Sequence, residues 1–196
     1  MKLTLVSALL FVLGSTAAQA NNLHLIEHAP NGFEIYRSGL PTRPEFKGMC
    51  SAGIHRFIVL SGDAEKVEMK FAGDCPGTQV LYNVRQDATI PLTPEFLRQF
   101  DGWVAQARAD GAKILFRCDC GCHRTGRLAA YYRMKYDGYT VAQAVSEMND
   151  LGKFMGVYPT LPAQVQALDD YVHGRPCSVS RSLCVAPAGS RQNLLQ

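Results

Sequence analysis

Apolar positions along the chain fall into short blocks that switch between a strand-like and a helix-like period. Residues 33–37 (Phe-Glu-Ile-Tyr-Arg) alternate in character and predict a short strand. Pro41 and Pro44 bracket a turn leading into a short helix over 44–52. Ile54, Phe57, Ile58, Val59 and Leu60 predict a buried strand over 54–60, the polar stretch 63–70 a helix, and residues 79–84 a third strand. Thr93-Pro94-Glu95 combines an N-cap hydroxyl, a proline at the first helical position and an acid at the positive end of the helix dipole. The helix it opens carries Phe96, Leu97, Phe100, Val104 and Ala107 on one face and stops at Gly111. Lys113-Ile114-Leu115-Phe116 predicts a central buried strand. Helices follow over 128–136, ending at Gly138, over 141–150, where Thr140 and Gln143 form a capping box, and over 162–173. Strands alternating with helices predict an α/β fold whose central, mostly parallel sheet is flanked by helices.

The two ends read differently. Lys2, an apolar run over 3–13 and Ala18-Gln19-Ala20 have the order of an export signal, with cleavage after Ala20. The run is shorter than the roughly 20 residues a membrane-spanning helix needs. The expected organisation is a signal peptide over 1–20, one domain over 21–174 and a polar, aperiodic tail over 175–196, the exported protein being periplasmic or secreted. Composition sharpens this picture: of 196 residues, 47% are apolar and the formal charge is +3, which excludes a strongly disordered chain and offers no basic face for nucleic acid. Lys2 is the one charged residue of the first twenty, so the remainder carries +2.

The chemistry concentrates where the central strand meets the next helix, at Arg117-Cys118-Asp119-Cys120-Gly121-Cys122-His123-Arg124-Thr125-Gly126-Arg127. A strand running through a tight loop into a helix points successive N–H groups at the loop centre, with the helix dipole behind them. That is an anion site before any side chain is counted. Arg124 adds a planar fork suited to a phosphate, and a cysteine in such a field is held as thiolate, with pKa values of about 3.5–7.5.

Cys-x-x-Gly-x-x-Arg-Thr-Gly, filled here by Cys118, Gly121, Arg124, Thr125 and Gly126, resembles the signature loop of the cysteine-based phosphatases of the protein-tyrosine and dual-specificity superfamily. Tyr36-Arg37-Ser38-Gly39-Leu40-Pro41 resembles the entry motif of its compact bacterial and atypical branch, and the likeness extends over about 35–172. The resemblance implies a cofactor-free phosphatase with Cys118 as nucleophile, Arg124 and the loop 119–124 (Asp119, Cys120, Gly121, Cys122, His123) around the phosphate, and Thr125 assisting thiolate departure. It also implies an upstream acid, for which Asp87, 31 residues before Cys118 and just after a strand, is the candidate beside the alternative of a solvated loop acid. Two positions depart from the pattern. Arg117 stands where a histidine is usual, so thiolate stability needs another source. His123-Arg124-Thr125-Gly126 is similar to the loop ending of plant and fungal members, some of which act on inositol pyrophosphates, but Cys122 replaces their lysine. Phosphoprotein and inositol phosphate substrates therefore both stay open, as does a non-enzymatic phosphate- or metal-binding module.

Cys118, Cys120, Cys122 and His123 are zinc-type ligands, yet four within six residues close a tetrahedron poorly. No metal is therefore expected. His24-Leu25-Ile26-Glu27-His28 has the spacing of an inverted zinc peptidase motif but lacks a helix to present it. Of the remaining cysteines, the preferred pairing is Cys50 with Cys75 and Cys177 with Cys184 among three connectivities. Cys120 and Cys122 are either small loop residues or thiols that could trap an oxidised Cys118.

Overall fold

The computed structural model describes residues 21–186 of the 196, so the expected signal peptide and the last residues of the tail lie outside the described part. Five strands, β1 (His24–His28), β2 (Glu34–Ser38), β3 (Ile54–Val59), β4 (Gln79–Asn83) and β5 (Lys113–Arg117), form one sheet in the order β1-β2-β5-β3-β4. Only β1 runs antiparallel to its neighbour. β5 is thus central, paired on both sides, and its last residue precedes Cys118.

Five helices cover the sheet: α1 (Arg43–Ser51), α2 (Pro94–Asp110), α3 (His123–Tyr136), α4 (Val141–Asp150) and α5 (Leu161–Val172). Alternation along β5 divides the core. Ile114 and Phe116 pack with Phe100 of α2 and Leu128 and Tyr131 of α3, while Leu115 faces Phe46 and Met49 of α1 together with Phe57 and Val59. α4 and α5 bury their apolar stripes (Ala144, Met148, Val165, Leu168) in the larger cluster. The predicted caps form: Thr93 accepts from the Phe96 N–H, and Thr140 and Gln143 close a capping box. Among the described residues, no helix is long and apolar enough to cross a membrane.

The structure differs from the sequence reading in three places. β1 is an edge strand the pattern did not announce, because a bulge between Leu25 and Glu27 breaks its alternation. α3 begins at His123 rather than 128, so Arg124 and Thr125 stand on its first turn. The stretch 63–70 forms one short 3₁₀ turn (Ala64–Lys66) instead of a helix, because Glu68 is drawn beneath the sheet to a buried partner, Arg117. Both preferred disulfides, Cys50–Cys75 and Cys177–Cys184, are formed. The second staples residues beyond Gly174 that fold back on α5, where Ser178 N and Oγ donate to Asp170 at 2.8 and 2.6 Å.

Candidate active site

The loop between β5 and α3 is held open from outside. Leu40 N donates to the Asp119 carbonyl at 2.8 Å, Asn22 Nδ2 to those of Cys120 and Gly121 at 3.3 and 3.0 Å, and Arg37 Nη2 to Gly121 at 2.8 Å. Three consecutive carbonyls are thereby engaged by the β1–β2 side, leaving the head of α3 to supply N–H groups to an anion. Gly121 has φ +70° and its position admits no side chain: a Cβ there would lie 2.6 Å from Gly39 N.

Cys118 is 1% exposed, at the end of β5. Its thiol is held well below the ordinary range, first by the hydrogen bond from Cys120, against burial, then by the Thr125 hydroxyl and N–H and the charge of Arg124. Cys120 moves the opposite way, raised by the bond it donates to Cys118 and by burial. The two shifts oppose each other, so Cys118 is the member of the pair that ionises first. Cys120 Sγ also accepts from Cys122 N at 3.1 Å. His123 lies 3.8 Å from the same sulfur, and its ring packs on Tyr158 with centroids 4.5 Å apart.

Arg124 Nη1 leans on the Leu60 carbonyl at 3.2 Å, and its Nη2 donates to Asp119 at 2.6 Å. It lines a cavity of about 320 Å³ together with Arg85, Gln86, Asp87, Ala88 and Tyr158. Asp87 thus shares a cavity with Arg124. Its Oδ1 accepts from Thr89 N and Oγ1, both at 2.7 Å. These bonds lower its carboxyl pKa against burial, and the charges of Arg127 and Arg124 lower it further.

Two buried arginine networks support this constellation: sequence reasoning missed Arg127 altogether, and it noted Arg117 without its partners. Arg127, buried on α3, donates to the Ile90 carbonyl at 2.6 Å, to Gln164 at 2.5 Å and to the Asp87 carbonyl at 3.3 Å, while Gln164 donates to Ala88 at 2.9 Å. The segment bearing Asp87 is thereby anchored to α3 and α5. Arg127 follows Arg124 by one helical turn in an otherwise apolar stretch, which was a readable signal. Arg117 is buried too. Its Nε and Nη2 form a fork with Glu68 at 2.5 and 2.6 Å, and Nη1 donates to Asp63 and Ser61 at 2.8 and 2.9 Å. Burial alone would raise Asp63; Ser61 and Arg117 outweigh it and hold the carboxyl at about 2. Where a histidine was the usual residue, a buried arginine network fixes the strand end that carries Cys118.

Among the described residues, neither competing metal reading gathers its donors into one cluster. The three-donor cluster that the described residues gather is Cys50, His55 and Cys75, whose two sulfurs form the disulfide, and not the loop cysteines. His24, Glu27 and His28 disperse along β1 to separate partners: Asn22, Arg108 and Glu34.

Solved structures share this architecture. P. aeruginosa TpbA is 21% identical, the match covering 81% of this chain and 98% of that one with a TM-score of 0.55. Tk-PTP is 20% identical over 76% and 97% of the two chains, with a TM-score of 0.58. The core catalytic domain of the PP-IP phosphatase SIW14 from S. cerevisiae, in complex with citrate, is 19% identical over 79% and 90%, with a TM-score of 0.62. The fold is that of the cysteine-based tyrosine and dual-specificity phosphatases. No family model and no curated protein matches the sequence.

Proposed function

We propose that the chain is an exported, cysteine-dependent phosphatase that hydrolyses phosphate monoesters of phosphoprotein side chains, phosphotyrosine foremost, through a phosphocysteine intermediate. The observation that carries this reading is a buried Cys118 at the end of β5, with Arg124 and Thr125 on the first turn of the helix that follows. The Cys118 sulfur attacks phosphorus, and the departing oxygen takes a proton from Asp87 as the phosphorus–oxygen bond breaks. The loop N–H groups and Arg124 hold the equatorial oxygens. Water then attacks the phosphocysteine, Asp87 recovers its proton, and the Thr125 hydroxyl stabilises the departing thiolate. In the free protein, Asp119 occupies Arg124 and is 59% exposed, so an incoming phosphate displaces it towards solvent. A phosphate dianion on Arg124 offsets the cation that lowers Asp87 and adds negative charge, which prepares that carboxyl to carry a proton.

Charge favours a singly phosphorylated group over a polyphosphorylated ring. The cations of the catalytic cavity are Arg85 and Arg124, with Asp87 beside them, and each further phosphate would need cations of its own. Among the similar structures, a cysteine-to-serine TpbA variant holds pTyr, whereas SIW14 is a PP-IP phosphatase, so the panel that decides includes both chemistries. Phosphate release from phosphotyrosyl peptides should exceed that from inositol hexakisphosphate, persist in EDTA and vanish in Cys118→Ser. Activity that survives Cys118→Ser, or that requires zinc, overturns the reading. Export is supported by the pattern of residues 1–20 and by the two disulfides. Fusion of residues 1–20 to a reporter that is active only after export tests it.

A further inference from the structure

On the side of the phosphate loop facing β1, a second cavity of about 520 Å³ opens between that strand and α4. Arg37 of β2 lines it and is fully buried. Its Nη2 is spent on the Gly121 carbonyl, but Nε and Nη1 are buried without a hydrogen-bond partner among the described residues. A buried guanidinium rarely leaves two nitrogens unanswered, because each forfeits its hydration without replacement. Glu147, the carboxylate whose charge acts most on Arg37, is already engaged: Arg133 Nε donates to it at 2.9 Å, and Arg133 also binds Asp137 and the Ile26 carbonyl. Arg37 therefore brings to the cavity wall two buried donors that no side chain among the described residues closes.

The other walls narrow the ligand. Leu25, Tyr139 and Leu151 are apolar or aromatic, which suits an uncharged body. Glu147 and Asp150 on the α4 side would repel a second negative charge. We propose that this cavity is a binding site for a small monocarboxylate with an apolar body, its carboxylate accepting from the unpartnered nitrogens of Arg37. The site adjoins the catalytic loop without being part of it. Arg37 holds the Gly121 carbonyl directly, and His24, which also lines the cavity, bonds Asn22, which donates to the same carbonyl. A ligand on Arg37 therefore reports at Gly121.

Benzoate and its neutral isostere benzamide, titrated against the ¹⁵N-labelled full chain, test this. Benzoate should shift the amides of Leu25, Tyr139 and Ser146 saturably, with a smaller shift at Gly121, and benzamide should not. The response should persist in Arg124→Ala, which removes the catalytic anion clamp. Leu25 is a 48% exposed edge-strand residue. Leu25→Asp should weaken benzoate about tenfold, the effect of one like charge a few ångströms away at a half-exposed site, without changing the melting temperature. Arg37→Leu should abolish binding; if that variant unfolds, Leu25→Asp carries the test. Shifts confined to residues 118–124, shifts lost in Arg124→Ala, equal binding of benzamide, or no saturable shift overturns the proposal, the last meaning that water alone answers Arg37.

Discussion

At the scale of single residues, the site turns on which of two neighbouring sulfurs carries the charge. Thr125 and Arg124 break the symmetry in favour of Cys118, and Cys120 contributes by remaining a donor. Thiolate absorbance near 240 nm, followed against pH, should therefore reveal a group ionised well below the ordinary thiol range of about 8.5. Cys120→Ala and Thr125→Val should each move that midpoint upward, and Cys118→Ser should remove it; a midpoint indifferent to both neighbours would show that the field of the helix alone sets it. Asp63 supplies a second titration. Its folded value of about 2 lies below its ordinary 3.8. The stability it contributes is therefore complete above pH 4 and lost as pH falls from about 4 to about 2, an effect of about 2 kcal/mol. Asp63→Asn should flatten that part of the stability profile in urea melts against pH.

At the scale of elements, the loop between β5 and α3 is a product of its neighbours, and this is where the sequence stopped being readable. The strand, the loop and the helix that follows could be derived from local pattern, because periodicity, Thr caps and glycines act over a few residues. Arg117 stood out as a departure, but its partner Glu68 lies 49 positions away in a stretch whose polarity suggested an exposed helix. Likewise the donors that hold the loop carbonyls come from Asn22 and Arg37, about a hundred and about eighty positions earlier. Polar pairs distant in sequence leave no period, so only the fold reveals them. Two predictions belong to this scale. Arg117→Met leaves Glu68 buried without its cation and should cost about 3–5 kcal/mol in chemical denaturation, much of it recovered in the double variant with Glu68→Met. Arg127→Met frees the segment bearing Asp87 from α3 and should act like Asp87→Asn. Both should lower kcat on alkyl phosphates far more than on nitrophenyl phosphate, whose leaving group needs no proton, and both should flatten the alkaline limb of the kcat profile. Equal losses on the two substrates would deny Asp87 the role of acid.

At the scale of the whole molecule, seven cysteines separate into two populations that a single redox experiment distinguishes. Cys50–Cys75 joins the end of α1 to the turn before β4 across 25 positions, and Cys177–Cys184 closes 7 positions against α5. Cys118, Cys120 and Cys122 are free. A cross-link stabilises chiefly by restricting the unfolded chain, and more so for the longer loop, so the first bond should contribute about 3.5 kcal/mol and the second about 2.4. Protein purified without reductant should therefore titrate three thiols after denaturation, and its mass should rise by four hydrogens on reduction. Cys50→Ala with Cys75→Ala should lower the melting temperature more than Cys177→Ala with Cys184→Ala, because the shorter bond restrains only the segment packed on Asp170. Neither pair touches the loop, so both variants should keep the low thiolate midpoint of Cys118 at temperatures where they stay folded. A low-pKa thiol can coexist with disulfides in one chain only if its neighbours do not close on it. The loop supplies such neighbours in Cys120 and Cys122, and the same titration decides whether they stay open: one thiol in place of three would mean that two loop cysteines have paired, and loss of the low thiolate midpoint as well would place Cys118 in that pair.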